Sequence, residues 1–359
     1  EKSEYEYSYN YQNWYPSAEY ETNNTIKNVG LFDLTPFSKF EIKSEKAHEE
    51  LQKICTANIK NEIGKCTYTH MLNSDGGIET DLTVVCLDKN HFRIISSAAT
   101  RERDKFHINK HLSKGVKLKD ITDDYCVFGL FGPKSRNLIK TISKDSFDNN
   151  DFKFGTAKYI EIEGIKIWAQ RLSYVGELGY ELYVKVNEAK KIYELLIEKG
   201  KDFNLSNCGM HAMDIMRMES GFLHWGHDIS PEENQYQAGL TFTISKKKEI
   251  DFIGKQALEK IKKEKIKSRF AMFTLKESKP GEPLLLHDEP IYLENKIIGR
   301  STSGNYSFNF KKNLTFGYIN NDFSNEELKN KNLFIEVEKK KYPISIQTGA
   351  LKRTDFKNL

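Results

Sequence analysis

The 359-residue chain lacks any apolar stretch long enough to span a membrane, which takes about 20 residues. It also lacks an excess of charge of one sign, because 55 basic residues are set against 51 acidic ones. Lysine clusters at 246–248 and 339–341 are exceptions, but flanking acids break up most basic stretches, which favours solvated surface over a nucleic-acid interface. We therefore expect neither a membrane nor a nucleic acid as partner.

Cysteine is scarce and scattered. No two of the five cysteines form a CxxC pair; they are Cys55, Cys66, Cys86, Cys126 and Cys208. Free thiols in a reducing, cytoplasmic compartment are the simplest interpretation, and a zinc site is disfavoured. His224 and His227 stand three residues apart beside Asp228, but a third ligand is not apparent. We therefore predict no metal site.

Nucleotide-binding signatures are missing as well. The glycines of GELG and GLFG lack the GxGxxG spacing that a dinucleotide-binding turn needs. The segment FIGKQAL is no P-loop, because Gln256 replaces the required Ser or Thr and no glycine stands five residues before Gly254. We therefore expect that this chain does not itself bind FAD or NAD through a Rossmann turn.

Hydrophobic periodicity predicts an α+β protein of more than one domain, since the chain exceeds one ordinary core. Helices are predicted at 45–58, 133–142, 188–199, 209–220 and about 255–267. A hairpin is predicted around Asp75-Gly76-Gly77, and two strands within 156–186. From Arg269 onward, short strands and turns predict a C-terminal β-barrel or jelly roll.

The opening EYEYSYNYQNWYPSAEYE has many aromatic residues and is expected to form an extended arm docked on an apolar surface. A second aromatic-rich segment, SYVGELGYEL at 173–182, carries two carboxylates in a strand-like run, where burying charge is costly. Glu177 lies in the turn and is predicted to be exposed. Glu181 is either a solvent-facing strand residue or a group that binds something specific.

Several segments, taken in order, resemble the folate-binding aminomethyltransferase family, which includes the glycine cleavage T-protein. They are VGLFDLTPFSKFEI, NSDGGIETDLTV, FGPKS, SYVGELGYELYV, MDIMRMESGFLHWGHDISPEE, FIGKQAL and GRSTSGNY. Together they run from about Gln12 to beyond Tyr318. The nearest resemblance is to the C-terminal, tetrahydrofolate-binding half of dimethylglycine and sarcosine dehydrogenases, on YQNWYP, SAATRERD, RMESGFLHWGHDI and HDEPIY.

The resemblance implies a multi-domain T-protein-like fold, with two intertwined α+β subdomains in 1–265 and a β-barrel domain in 266–359. It implies tetrahydrofolate as cofactor and capture of the one-carbon unit of an oxidised N-methyl amine as 5,10-methylenetetrahydrofolate. A flavin domain oxidises the amine in such dehydrogenases, so FAD is expected only on a separate or missing domain or subunit. Two alternatives stay open: a stand-alone aminomethyltransferase or demethylase, and a folate-binding module without catalysis.

The resemblance also implies roles for single residues. Glu181 matches the glutamate that accepts the ring N–H and the exocyclic amine of the pterin together. Asp81 matches the catalytic acid, the alternative being a hairpin residue that bonds the turn's amides. Tyr174 matches a folate-site tyrosine whose hydroxyl could orient Asp81 or the folate, the alternative being a core tyrosine.

Weaker candidates follow from the same comparison. Arg217 either pairs with Glu219 on a helix surface or faces the anionic tail of the folate. Trp225 is a candidate wall for the aminobenzoyl ring, and Arg300 is a candidate contact of the glutamate tail. Met213 stands where T-proteins carry an arginine, which weakens the case for their aminomethyl-lipoyl partner.

Overall fold

The computed structural model describes residues 4–352 and residue 355. The predicted outer domain bounds at Glu1 and Leu359, and the first three residues of the predicted arm, lie outside the described residues. The bounds 1–265 and 266–359 stay a prediction. No helix in the described part of the chain is both long and apolar enough to cross a membrane.

Helices are interspersed with single strands and short runs of strands along the first 263 residues, and strands dominate afterwards. The helices are α1 (Tyr15–Lys27), α2 (Ala47–Ile54), α3 (Arg101–His111), α4 (Ser135–Ile142), α5 (Val186–Gly200), α6 (Met210–Glu219), α7 (Gln235–Ala238), α8 (Lys255–Lys263) and α9 (Asn325–Lys329). The strands are β1 (Val29–Asp33), β2 (Ser38–Lys43), β3 (Cys66–Leu72), β4 (Ile78–Asp88), β5 (His91–Ser96), β6 (Leu118–Asp120), β7 (Tyr125–Phe131), β8 (Thr156–Ile162), β9 (Ile165–Arg171), β10 (Gly179–Lys185), β11 (Leu205–Cys208), β12 (Ser268–Leu275), β13 (Pro290–Leu293), β14 (Lys296–Ser307), β15 (Lys312–Asn320), β16 (Leu333–Val337) and β17 (Lys340–Gln347).

The strands form three sheets. One has the order β11-β1-β7-β10-β9-β8, a second has the order β3-β4-β5-β2-β6, and the last six strands close into a barrel. This arrangement confirms the predicted α+β class and the C-terminal barrel, which is a closed barrel of six strands. The predicted hairpin is β3–β4, and Gly76 at its turn has a φ of 85°. The next glycine is equally constrained, because a Cβ on Gly77 would stand 1.9 Å from the carbonyl oxygen of Pro231.

A shared apolar layer joins the two open sheets and α6. This layer, called the intersheet cluster below, consists of Phe32, Leu34, Val85, Val127, Phe131, Ala157, Trp168, Val175, Tyr183, Ala212, Met213 and Met216. Along β4, Leu82 and Val84 pack into the separate core behind the second sheet, whereas Val85 points into the intersheet cluster. Period-two alternation of side chains therefore decides which residues of β4 face the other sheet.

Two sequence predictions fail in the first 190 residues. The stretch 156–186 forms three strands, because the turn around Gly176 separates β9 from the third strand, β10. The tyrosine-rich opening turns helical at Tyr15, where Pro16 occupies the first turn of α1. The segment before that helix is docked, as predicted, because Leu284 N–H donates to Tyr9 O at 3.0 Å and the ring of Tyr5 packs edge-on against His211. Four of its tyrosines are nevertheless more than half exposed; they are Tyr5, Tyr7, Tyr9 and Tyr11.

Candidate functional site

Two acids face the intersheet cluster from opposite sheets. Asp81 lies on β4, an even number of residues before Val85, and Glu181 lies on β10, two residues before Tyr183. Val85 and Tyr183 both belong to the intersheet cluster. Because alternate residues of a strand point to the same face, the two carboxylates project into the space between the sheets. The structure thus brings the two leading candidates to one layer.

Asp81 has an unusual environment for a carboxylate. Its side chain is 19% exposed. Burial raises its pKa to about 7, a hydrogen bond from Tyr68 opposes that rise, and the nearby charge of Asp104 adds to it. Its Oδ1 atom is buried without a hydrogen-bond partner among the described residues. Asp81 can therefore exchange a proton near neutral pH.

The alternative reading of Asp81, as a residue that bonds the turn's amides, is wrong. The backbone N–H groups of Asp75 and Gly77 instead donate to Asn73 Oδ1, at 3.0 and 2.9 Å. The turn is closed without Asp81, whose carboxylate is left for other contacts.

His70, which sequence reasoning missed, stands directly opposite Asp81 on β3. The hydroxyl of Thr243 donates to Leu240 O at 2.7 Å, so its oxygen accepts from His70 Nδ1 at 3.0 Å. Burial lowers the pKa of His70 to about 3, so the ring is neutral and Nε2 carries no hydrogen. Nε2 lies 3.8 Å from Asp81 Oδ1 and 3.3 Å from the hydroxyl of Tyr68. His70 Nε2 is therefore an acceptor next to Asp81, which is partly protonated near neutral pH.

Glu181 is half-buried and faces the intersheet cluster, so it is not a plain solvent-facing strand residue. Its Oε2 accepts the hydroxyl of Tyr183 at 3.0 Å, while burial raises its pKa to about 7. The residue paired with it on β9 is Gln170. Without a further hydrogen-bond donor, the Glu181 carboxylate is therefore only partly ionised near neutral pH. This is expected of a carboxylate that binds N–H groups of a ligand.

Tyr174 is half-buried and packs against the intersheet cluster. Its hydroxyl donates to Leu223 O at 2.9 Å, and its ring stacks on Phe222 with the centroids 6.0 Å apart. Its pKa is raised by burial, lowered by Arg217 and raised again by the charge of Asp81, which places it within electrostatic range of that acid. The hydroxyl proton is engaged by a main-chain carbonyl, so only the oxygen of Tyr174 is available to orient another group.

Arg217 is a structural cation. It is 1% exposed, and its donors reach Asp214 Oδ1, Asp228 Oδ2, Phe222 O and Ser303 Oγ. The predicted surface pair with Glu219 is wrong, because that carboxylate is itself buried and accepts the hydroxyl of Ser307. These partners also leave Arg217 poorly placed to meet the anionic tail of a folate.

Trp225 and Arg300, the two remaining candidates, contact the start of β4 and the barrel, respectively. Trp225 Nε1 donates to Ile78 O at 3.1 Å, and the guanidinium of Arg103 lies 5.4 Å from its ring, so Trp225 covers the start of β4. Arg300 is exposed on the barrel strand β14 and pairs with Asp288. Their contacts with a folate stay predictions.

The predicted exposure of Glu177 is wrong. Its side chain is 7% exposed and forms an ion pair with Lys352, which is equally buried. The tail that follows the barrel therefore supplies the counter-charge that allows the carboxylate to be buried.

His224, His227 and Asp228 do not form a metal site in this structure. The carboxylate of Asp228 accepts hydrogen bonds from Arg217, Thr302 and Ser303, which occupies both oxygens. Within residues 4–352 and 355, no group of three histidine, cysteine or acidic side chains is placed to hold a metal ion.

Two family models match successive parts of the chain. Residues 1–248 match the GCVT N-terminal domain, and residues 269–351 match the glycine cleavage T-protein C-terminal barrel domain. An aminomethyltransferase of Halothermothrix orenii is 32% identical over 84% of this chain and 83% of its own length. In the solved structures, aminomethyltransferase T of the glycine cleavage system from Bartonella henselae superposes with a TM-score of 0.81, at 21% identity, over 96% of this chain and 93% of that one.

Longer relatives match as well. The 4-methylaminobutanoate oxidase (formaldehyde-forming) of Paenarthrobacter nicotinovorans is 36% identical over 84% of the chain, and the mitochondrial dimethylglycine dehydrogenase of Rattus norvegicus is 31% identical over 98% of it. The chain spans only 36% and 41% of the lengths of these two proteins.

Proposed function

Since the chain belongs to the aminomethyltransferase family of the glycine cleavage T-protein, we propose that it binds tetrahydrofolate between its two open sheets and transfers a one-carbon unit to it. The observation that carries this proposal is the pair of acids Asp81 and Glu181, which project from strands of the two open sheets towards the intersheet cluster and each have a pKa raised to about 7 by burial. Groups with such pKa values are typical of sites that bind or move protons.

The residues present fit a reduced folate. Glu181 offers a carboxylate to the adjacent ring N–H and amine of the pterin, and these donors would favour its charged form. The intersheet cluster provides apolar side chains against which an aromatic ring can pack. Asp81 Oδ1, unpartnered in the described part of the chain, is free to contact the ligand.

Tetrahydrofolate, when bound, supplies the nitrogen nucleophile that takes up the one-carbon unit. Asp81 is the residue that would accept the proton this nitrogen gives up, because its pKa lies near neutral pH. His70 Nε2 lies 3.8 Å from Asp81 Oδ1, longer than a hydrogen bond, and would accept the proton of the protonated acid only after the two side chains approach each other. In its charged form Asp81 also stabilises positive charge that develops next to it.

The one-carbon donor that we propose is the iminium formed when an N-methyl amine of the dimethylglycine or sarcosine type is oxidised, and the product is 5,10-methylenetetrahydrofolate. Support comes from the matches to an oxidase and a dehydrogenase of methylated amines, of which this chain covers less than half. FAD would accordingly be carried by another domain or a partner subunit.

Stand-alone aminomethyl transfer is the second candidate. It is favoured by the H. orenii aminomethyltransferase, which the chain matches over most of that protein's length. Met213 is 2% exposed within the intersheet cluster, where T-proteins carry an arginine, so this position offers no positive charge to an aminomethyl donor.

Anaerobic calorimetry with tetrahydrofolate tests binding. Product formation is tested with sarcosine, tetrahydrofolate and an added flavoprotein sarcosine oxidase, measured as methylenetetrahydrofolate above the rate without this chain. We expect Asp81→Asn to keep binding and to lose most of the product. The matched control is Asp88→Asn, an exposed carboxylate at the end of the same strand. Binding without product in the wild type as well would instead support a non-catalytic folate module.

A further inference from the structure

Gln170 on β9 has a buried side-chain amide. It is completely inaccessible to solvent, yet neither Oε1 nor Nε2 has a hydrogen-bond partner among the described residues. Most buried side-chain polar atoms in folded proteins are hydrogen-bonded, so an amide with both ends unsatisfied requires an explanation. No side chain or backbone group among residues 4–352 and 355 provides one.

The position of Gln170 connects it to the folate site. On the paired strands β9 and β10, Gln170 opposes Glu181, and Trp168 opposes Tyr183. Trp168 and Tyr183 belong to the intersheet cluster, so Gln170 and Glu181 point to the same layer. Side chains that oppose each other across antiparallel strands stand about 5 Å apart at Cβ. The amide therefore lies beside the carboxylate, although no hydrogen bond joins them within the described structure.

We propose that Gln170 is a further ligand-binding residue, whose amide completes the recognition of a flat heterocycle that Glu181 begins. The inference rests on the proposed function. A carboxylate offers only acceptors, whereas a 4-oxopterin also carries a carbonyl oxygen next to its ring N–H. Gln170 Nε2 supplies the donor for that oxygen, and Oε1 accepts a further N–H of the same ring system. The pair Glu181–Gln170 thus matches both the donors and the acceptor on one edge of the ligand.

A binding residue of this kind predicts opposite effects on stability and on affinity. Without ligand, the unpartnered amide costs free energy, so an apolar side chain of similar volume should raise the melting temperature. With ligand, the same change removes hydrogen bonds and should weaken binding. A residue with a purely structural role would not give this combination, because its replacement lowers stability and leaves the intrinsic affinity unchanged.

Gln235 provides a matched control. It is equally buried, both ends of its amide are unpartnered among the residues described, and it lies on α7, outside the β9–β10 pair. The experiment compares wild type, Gln170→Met, Gln170→Leu and Gln235→Met. Melting temperatures are measured without ligand, and dissociation constants for tetrahydrofolate are measured by anaerobic calorimetry.

We expect all three variants to melt at or above the wild-type temperature. Both Gln170 variants should bind tetrahydrofolate about tenfold more weakly, the scale of a lost hydrogen bond to a buried group, and Gln235→Met should bind as the wild type does. Gln170 variants with wild-type affinity, or with lowered stability, would overturn the inference while leaving the proposed function intact. A wild type that binds no tetrahydrofolate would overturn the proposed function and the inference together.

Discussion

The raised pKa of Asp81 makes a quantitative prediction about stability. A carboxyl group with an ordinary pKa of 3.8 in the unfolded chain and about 7 in the folded protein binds a proton more tightly when folded. The folded state is therefore penalised as pH rises. The penalty is absent below pH 3.8, grows between 3.8 and 7, and is complete above 7.

Replacing the carboxyl group removes this penalty. The difference of about 3 pH units, at about 1.4 kcal/mol each, corresponds to about 4 kcal/mol. Because the side chain is 19% exposed, we expect a smaller effect, about 2–4 kcal/mol. Asp81→Asn should stabilise the protein by this amount at pH 8 and have little effect at pH 4, where Asp81 is protonated in both states. The neutral amide also resembles the protonated acid in size and in carrying a donor on the side of His70 Nε2, which lies 3.8 Å from Asp81 Oδ1.

Urea unfolding at a series of pH values between 4 and 8 measures the effect. Glu41 is the control of opposite sign: burial acts to raise its pKa, but hydrogen bonds from His91 and Arg93 outweigh it and lower the pKa to about 2. Its charge therefore stabilises the fold above pH 4.5, and that contribution is lost as pH falls towards 2. Glu41→Gln should destabilise the protein at pH 8. A difference between Asp81→Asn and wild type that does not change with pH, or a loss of stability at pH 8, would refute this account of the site.

Three further predictions concern single residues. Glu181→Gln should weaken tetrahydrofolate binding by about 1.5–3 kcal/mol, the scale of a charged hydrogen bond, and unchanged affinity in calorimetry would remove Glu181 from the site. Lys352→Met should lower the free energy of unfolding by about 3–5 kcal/mol, because it leaves the Glu177 carboxylate buried without a counter-charge; adding Glu177→Gln should restore much of this loss in the same urea titration. His70→Phe removes the acceptor for protonated Asp81, so the pH midpoint of methylenetetrahydrofolate formation should move down; an unmoved midpoint would show that His70 does not act on Asp81.

Local patterns predicted much of the fold. The turn glycines and alternating residues of the β3–β4 hairpin predicted the strands that carry Asp81, and the motif around residues 173–182 led to Glu181. Family membership, inferred from motifs in order, is confirmed, and so is the C-terminal barrel, predicted from the short strands and turns after Arg269. The roles of Asp81, Tyr174 and Glu181 stay predictions.

What failed depended on contacts distant in sequence. The exposure of Glu177 was predicted wrongly because its partner, Lys352, lies 175 residues further along the chain. Arg217 bonds Asp214 on its own helix, but its other side-chain partners, Asp228 and Ser303, come from a loop and from the barrel. The proximity of His70 to Asp81 was harder to predict, because it depends on the register of the two strands across the hairpin turn, which sets His70 opposite Asp81.

The hydrogen bonds around Arg217 also bear on where this protein can be divided. The first family model ends at residue 248 and the second begins at residue 269, but the guanidinium of Arg217 on α6 and the carboxylate of Asp228 both form hydrogen bonds with the hydroxyl of Ser303 on β14. Separating the two parts of the chain would expose the buried charges of Arg217 and Asp228 to water and remove the hydroxyl groups that bond them. We therefore expect the chain to melt in one transition, and gene fragments cut at that boundary to produce insoluble halves that recover only when expressed together.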